Sequence, residues 1–418
     1  MPRKRGPGTR APNGASSIYL GKDGKWHGRV TVGVLDNGKP DRRHVERKTE
    51  AAVISAVREL ERQRANGKVR RAGRAWTVEQ WLTHWVENIA APAIRPNTLT
   101  GYRVAIYNHL IPGIGAHRID KLQPEHLERL YANLSKKRTR QNTVFKPARI
   151  HQIHRTVRTA LGEAVRRGHL TSNPAEIARP PRIPEEEITP FTKTEAQQLL
   201  TAARTIRNGI RFIIALTLGL RKGEALGLKW PDIDFERRTL TIRRTIQRLT
   251  WMHGCPSEKP CGHKYGGHCP QRHGGGVVTA EVKSSAGKRT IGLPLPLIEL
   301  LKDHRIQQKQ EQDRARNLWR DEGWVFTNRL GGPVHPRVDH DAWKNLLKKA
   351  DIRDARLHDA RHTAATMLLL LGVPDRAAMA IMGWAQMSMT KRYQHITTEL
   401  RTVIADQVGN LYWSVNND

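Results

Sequence analysis

Four short segments in the second half of the chain hold side chains suited to moving a phosphoryl group. Arg221 and Glu224 stand one helical turn apart in Leu218-Gly219-Leu220-Arg221-Lys222-Gly223-Glu224, directly after an apolar run. Lys283 opens the stretch Lys283-Ser284-Ser285-Ala286-Gly287-Lys288-Arg289. His358 and Arg361 occupy one helical face within Leu357-His358-Asp359-Ala360-Arg361-His362-Thr363. Tyr393 follows Ile381-Met382-Gly383-Trp384 and sits in Thr390-Lys391-Arg392-Tyr393-Gln394-His395. A reaction that cuts a phosphodiester and keeps its energy for rejoining needs a protein nucleophile, because water would discard that energy. A tyrosine phenol can serve. Negative charge gathers on the non-bridging oxygens in the transition state, and planar guanidinium groups match that geometry. A lysine ammonium can protonate the leaving oxygen, a contribution on the order of 100- to 10,000-fold. Taken singly, each segment has a plainer reading. An Arg/Glu pair one turn apart is ordinary on a helix surface, a hairpin lysine is ordinarily a solvated charge, and a tyrosine such as Tyr412 is an amphipathic surface residue.

The elements that must position these residues read as follows. Residues 1–75 form a basic module: strands at Ser17–Leu20, Trp26–Leu35 and Arg42–Lys48 are separated by Asp23-Gly24 and Asn37-Gly38 turns, then Thr49 caps a helix to about Ala65. An exposed sheet face with Lys25, Arg29 and Arg43 could enter a DNA groove, and a solvated basic face explains the same residues. Residues 76–182 read as helical, with Trp81, Leu82, Trp85 and Val86 on one stripe and further helices from Pro124 and Ala148. Asn173 to Ile188, rich in proline and acidic at Glu185–Glu187, reads as a linker. Residues 183–418 are mixed and mainly helical, with short strands near Thr239–Arg248, Val277–Val282 and Thr290–Leu293. The expected fold class is therefore multidomain: a small sheet-plus-helix module, an all-α domain, and a mainly-α domain with a small antiparallel sheet.

Charge narrows the partner. Lys and Arg total 72 against 39 Asp and Glu in 418 residues, a formal charge of +33. A polyanion is the natural counterpart, and double-stranded nucleic acid is the first expectation. No apolar run approaches the roughly 20 residues that cross a bilayer, so no membrane partner is expected. Met1–Arg10 is basic without an apolar segment behind it, a flexible arm rather than a secretory signal, which places the protein in the cytoplasm.

The segments, in this order, resemble the tyrosine recombinase or phage integrase family, in the manner of an actinobacterial-type integrase of a phage or integrative element. Ala215 to Trp230 matches the family's first arginine box, and Arg289, Ile291 and Leu293 fall where the family places them, which assigns the family lysine to Lys283 rather than Lys288. Leu357 to Thr366 looks like the His-x-x-Arg box. The resemblance implies a site-specific recombinase acting through a 3′-phosphotyrosyl intermediate and a Holliday junction to integrate or excise a mobile element. It implies that Arg221 and Arg361 clamp the phosphate, Glu224 orients its neighbours, Lys283 is the general acid, His358 a donor or base, and Tyr393 the nucleophile. Trp384 stands where histidine is commoner; its indole N–H can donate but cannot shuttle a proton. The family further implies an arm-type DNA-binding module at 1–75, a core DNA-binding domain at 76–182 and the catalytic domain at 183–418. It implies a homotetramer on synapsed attachment sites, a nucleoid-associated location, a directionality factor, a host DNA-bending protein, a tail from Thr398 to Leu411 docked on a neighbouring subunit, and no cofactor for catalysis. A DNA-binding regulator without catalysis and a topoisomerase are the competing classes.

An insertion at 250–276 departs from that pattern. All three cysteines, Cys255, Cys261 and Cys269, lie in it among His253, His263, His268 and His273. Thiolate and imidazole groups at short loop spacing suit tetrahedral zinc, so Cys255, Cys261 and Cys269 with His273 or His263 are the expected ligands of a structural zinc. The other reading is a polar loop whose histidines meet DNA.

Overall fold

Branched apolar residues alternate with polar ones between Trp26 and Val34, the pattern of a strand covered on one face. In the computed structural model this segment is the centre of an antiparallel sheet, β1 (Ser17–Leu20), β2 (Trp26–Val34) and β3 (Pro40–Arg47), with β2 in the middle. The structure describes residues 16–34, 39–65, 76–138, 142–184, 189–256, 258–282, 285–387, 389 and 405–406. The basic arm at 1–10, Lys283, Tyr393 and nearly all of the expected docking tail lie outside them. Contacts divide the chain into two compact units, 1–184 and 185–418.

In the first unit, α1 (Glu50–Ala65) lays Val53 and Val57 on Val30 and Val32 of the sheet. Gly28 permits the approach, since a Cβ there would stand 2.5 Å from Val57 Cγ2. The expected basic face needs correction. Arg43 pairs with Val30 across the strands, so it shares the face turned to α1 and bonds Asp41, whereas Arg29 lies on the open face with its guanidinium 5.5 Å from the Tyr19 ring centroid. Lys25 pairs with Glu46. The open face carries instead a stack of Tyr19, His27 and His44, ring centroids 5.4 and 5.0 Å apart.

The helical part of this unit contains α2 (Val78–His84), α3 (Pro96–Ala105), α4 (Ile111–Ile114), α5 (Pro124–Lys136), α6 (Pro147–Arg166) and α7 (Pro174–Ile177). Thr77 caps α2 through a reciprocal pair of bonds with Gln80, and proline in the first turn starts α3, α5 and α6. Two wide turns extend α2 and α3, each closed by an i to i+5 bond, Ala91 N–H to Val86 O and Ile111 N–H to Ile106 O. Trp81, fully buried, donates its indole N–H to Ala160 O at 2.9 Å. The expected linker begins later than Asn173: α7 is part of this core, with Ala175 and Ala178 buried.

The second unit opens with α8 (Lys193–Arg204), capped by Thr192 and Glu195, and α9 (Ile210–Leu218). It continues with α10 (Lys222–Leu226), α11 (Leu295–Ala315), α12 (Pro336–Lys349), α13 (Leu357–Leu370) and α14 (Asp375–Met382). Strands β4 (Ile233–Asp234), β5 (Thr239–Ile242) and β8 (Arg289–Gly292) form one antiparallel sheet, and β6 (Arg244–Leu249) pairs with β7 (Gly276–Glu281) in another. The single strand expected at Thr239–Arg248 is thus broken where Arg243 and Arg244 both turn to buried Asp232. Phe212, Ile214, Leu240, Leu301, Phe326 and Trp343 centre the core. No helix among the described residues is long and apolar enough to cross a membrane.

Candidate active site

Helices α9 and α14 end in left-handed glycines, and those turns organise the site. Gly219 closes α9 and Gly383 closes α14, each at φ 64°, a conformation that costs any other L-residue energy. Space is also closed there: a Cβ would stand 2.7 Å from Met382 Sδ at Gly219 and 2.6 Å from Arg289 Nη1 at Gly383. The carbonyls at these turns become acceptors for two guanidinium groups. Arg361, only 2% exposed, donates Nη1 to Gly219 O and Nη2 to Met382 O. Arg221 donates Nη2 to Gly383 O at 3.0 Å. The two arginines are therefore held by successive carbonyls of one turn. Arg221, its side chain 40% exposed, is the more open of the two.

Glu224 fixes the first arginine from the other side. Its buried carboxylate accepts the Arg221 backbone N–H at 3.0 Å and Nη1 at 2.6 Å, and also Arg289 Nη2 at 3.0 Å. Burial pushes the Glu224 carboxyl up, but the charges and hydrogen bonds of Arg289 and Arg221 outweigh it and hold the group below its ordinary 4.5. Arg289 also donates Nε to Ile381 O at 2.7 Å and Nη1 to Gly287 O at 3.2 Å, joining β8 to the end of α14. Sequence reading used Arg289 only to set register. The available signal was strand parity, which puts it on the buried side with Ile291.

His358 lies in the first turn of α13. Burial first, then the positive charge of Arg361, lowers its imidazole pKa below 6.5; the Arg221 charge acts in the same direction. His362 stands edge-on with ring centroids 4.6 Å apart and is lowered further, to about 4, mainly by burial. Thr363 Oγ1 accepts the Phe191 N–H at 2.9 Å and donates to Asp359 O, tying α13 to the chain entering α8. Trp384 is buried, with the Arg361 guanidinium 5.9 Å from its ring centroid. The structure thus gathers Arg221, Glu224, His358, Arg361 and Trp384, while Lys283 and Tyr393 lie outside the described residues.

In the insertion, one ligand atom from each of His253, Cys255, Cys261 and Cys269 lies within 4.8 Å of the others. The fourth member of this cluster is His253, not the expected His273 or His263. His273 spends Nε2 on the His253 carbonyl at 3.1 Å, and His263 packs against the His268 ring at 6.1 Å. Cys269 is buried; burial opposes its ionisation, but backbone bonds from Gly254 and Gln271 and contacts with Cys261 and His253 hold the thiol down to about 6.

A second basic feature escaped the sequence reading. Arg149, Arg155, Arg158 and Arg166 of α6 line an open hollow of about 720 Å³ with Thr98 and Tyr102 of α3. Its signal is the recurrence of arginine along the face of α6 opposite Ile150, Ile153, Val157 and Leu161.

The model of the Phage integrase family matches residues 190–257 and 271–399, leaving out the middle of the insertion, and the N-terminal SAM-like domain of phage integrases matches 77–135. An integrase of Saccharopolyspora erythraea is 47% identical over 448 residues, covering all of both chains. A XerC-like tyrosine recombinase of Caldanaerobacter subterraneus is 28% identical over 407 residues, 94% of this chain and 98% of that one. Among solved structures, the Tn1549 transposon integrase in complex with a circular intermediate DNA shares the fold at a TM-score of 0.60 and 18% identity, over 80% of this chain and 100% of that one. A lambda integrase dimer bound to a core site does so at 0.53 and 15%, over 77% and 96%.

Proposed function

The chain belongs to the phage integrase family and is a tyrosine-type site-specific recombinase, and from that premise we propose how its residues divide the work. A DNA phosphate seats against Arg221 and Arg361, whose guanidinium groups balance the charge that grows on its non-bridging oxygens. The Tyr393 phenol oxygen bonds to phosphorus as the bond from phosphorus to the 5′ oxygen breaks. The phenolic proton passes to the His358 imidazole, which is neutral at pH 7, and Lys283 protonates the departing 5′ oxygen. The product is a 3′-phosphotyrosyl bond, close in energy to the one broken, so a second 5′ hydroxyl can reverse the step on a new partner strand. Trp384 packs against Arg361 and offers an indole N–H toward the phosphate. No cofactor enters this chemistry.

The observation that carries this reading is the pairing of Arg221 and Arg361 on the successive carbonyls of Gly383 and Met382, which brings the boxes of three separate helices to one place. Residues 76–182 act as the core DNA-binding domain, with the α6 arginines on the phosphate backbone, and residues 1–75 as the arm-type module. The working assembly is a homotetramer on two attachment sites, passing through a Holliday junction in the bacterial nucleoid with a directionality factor and a DNA-bending protein.

Incubating the full-length protein with two supercoiled plasmids, each carrying a duplex from one of the junctions flanking its gene, tests this reading. Reciprocal exchange between the two duplexes is the expected result. Relaxation of supercoils without exchange would assign a topoisomerase instead, and binding with neither reaction would assign a regulator.

A further inference from the structure

Residues 250–275 are an island with almost no core of their own. Among the described residues of this insertion only Gly266 and Cys269 are buried, and regular structure is limited to one short turn at Gly266–His268 and the Met252–His273 bridge. Burial of apolar surface is too small to fix such a loop; segments of this kind are ordinarily held by disulfides or a metal. Cys255, Cys261 and Cys269 are all free thiols.

We infer that His253 Nδ1 and the sulfurs of Cys255, Cys261 and Cys269 bind one structural zinc ion that closes the tip of the β6–β7 hairpin. The spacing fits. A tetrahedral site with Zn–S near 2.3 Å and Zn–N near 2.0–2.1 Å places ligand atoms roughly 3.6–3.8 Å apart. His253 Nδ1 lies 3.4 Å from Cys261 Sγ and 4.0 Å from Cys255 Sγ, and the whole set lies within 4.8 Å. Three soft thiolates with one imidazole select zinc over the hard cations that prefer oxygen. The surrounding bonds orient the ligands. His273 donates to the His253 carbonyl, and paired backbone bonds between Met252 and His273 at 2.9 and 3.1 Å bring the two sides of the hairpin together just below the cluster. Close-packed glycines complete the frame: a Cβ on Gly254 would stand 2.0 Å from Gln271 O, and one on Gly266 2.2 Å from Trp251 O.

The metal acts on position, not on the reaction. Strand β7 runs from the base of this loop to Glu281, two residues short of Lys283, so a clamped tip fixes the strand that delivers the lysine. The zinc site stands independently of the recombinase chemistry, because it rests on the ligand cluster alone.

Metal analysis of untagged full-length protein should return one zinc per chain. X-ray absorption should show three sulfurs near 2.3 Å and one nitrogen near 2.0–2.1 Å. Exchange for cobalt should give the intense sulfur-to-metal charge-transfer band of three thiolates. Cys261→Ser and His253→Ala should lose at least tenfold in zinc affinity, while His263→Ala and His273→Ala keep one zinc per chain. His253→Cys should retain the metal with a four-sulfur spectrum, which guards against mere misfolding of the alanine variant. Zinc well below one per chain together with no thiolate band on cobalt addition would overturn the site; loss of metal in His273→Ala but not in His253→Ala would overturn the ligand set. DNA cleavage assayed alongside separates failure of this inference from failure of the recombinase reading.

Discussion

In the proposed division of work Arg221 and Arg361 clamp the phosphate, and each is itself held by groups that do not react. Glu224, bridged to buried Arg289, bonds Arg221 on one side, and the carbonyls of Gly219 and Met382 bond Arg361 on the other. Lys283 is the one proposed proton donor, and its role has a chemical signature. Lys283→Ala should slow strand cleavage by about 100- to 10,000-fold. A substrate with sulfur in place of the bridging 5′ oxygen should restore the rate, because a thiolate leaves without a proton. Lys288→Ala should show neither effect; the reverse assignment would follow if Lys288→Ala were the variant rescued. At this scale the sequence pointed to Arg221, His358 and Arg361 and to one support, Glu224, and did not single out Arg289 or the turn carbonyls as the other supports. Arg221, His358 and Arg361 are legible because residue type and spacing together define phosphate chemistry. The choice of His253 over His273 was not legible, since loop spacing fixes how far a side chain can reach but not which imidazole is already spent on a carbonyl.

At the scale of elements, periodicity located the helices and strands well, because each has one covered face. It failed where pairing between elements decides. Arg43 faces α1 because the register puts it opposite Val30, on the face it shares with apolar Val45 two residues on. Residues 174–178 read as linker from their proline but pack as α7 and its C-cap, since Ala175 and Ala178 are small enough to enter the core. Arg211, in the first turn of α9, is a charge in an apolar run, and it is 1% exposed. Asp339 of α12 is its buried partner. Burial raises the Asp339 carboxyl and lowers the Arg211 guanidinium from their ordinary values, each against the pull of the other. Breaking one member leaves an uncompensated buried charge, so Asp339→Ala should destabilise the second unit by about 3–5 kcal/mol in denaturant unfolding. Replacing both with apolar residues, Arg211→Met with Asp339→Leu, should recover most of that loss. A single variant as stable as the parent would show that the pair is solvated.

For the whole molecule, a formal charge of +33 favours DNA as a partner without specifying where, and in the proposed mechanism Arg221 and Arg361 make one phosphate reactive. Cleavage by this route requires Tyr393 to reach that phosphate, from its own subunit or from a neighbour in the assembly. A duplex from the gene's flanking junction, nicked so that the short cleaved fragment diffuses away, traps the covalent step. With the full-length protein it should accumulate a denaturant-resistant protein–DNA adduct whose digestion yields a phosphotyrosyl peptide bearing Tyr393, and Tyr393→Phe should form none while still binding DNA. An adduct that persists in Tyr393→Phe, or that maps to another residue such as Tyr412, would show that Tyr393 is not the nucleophile.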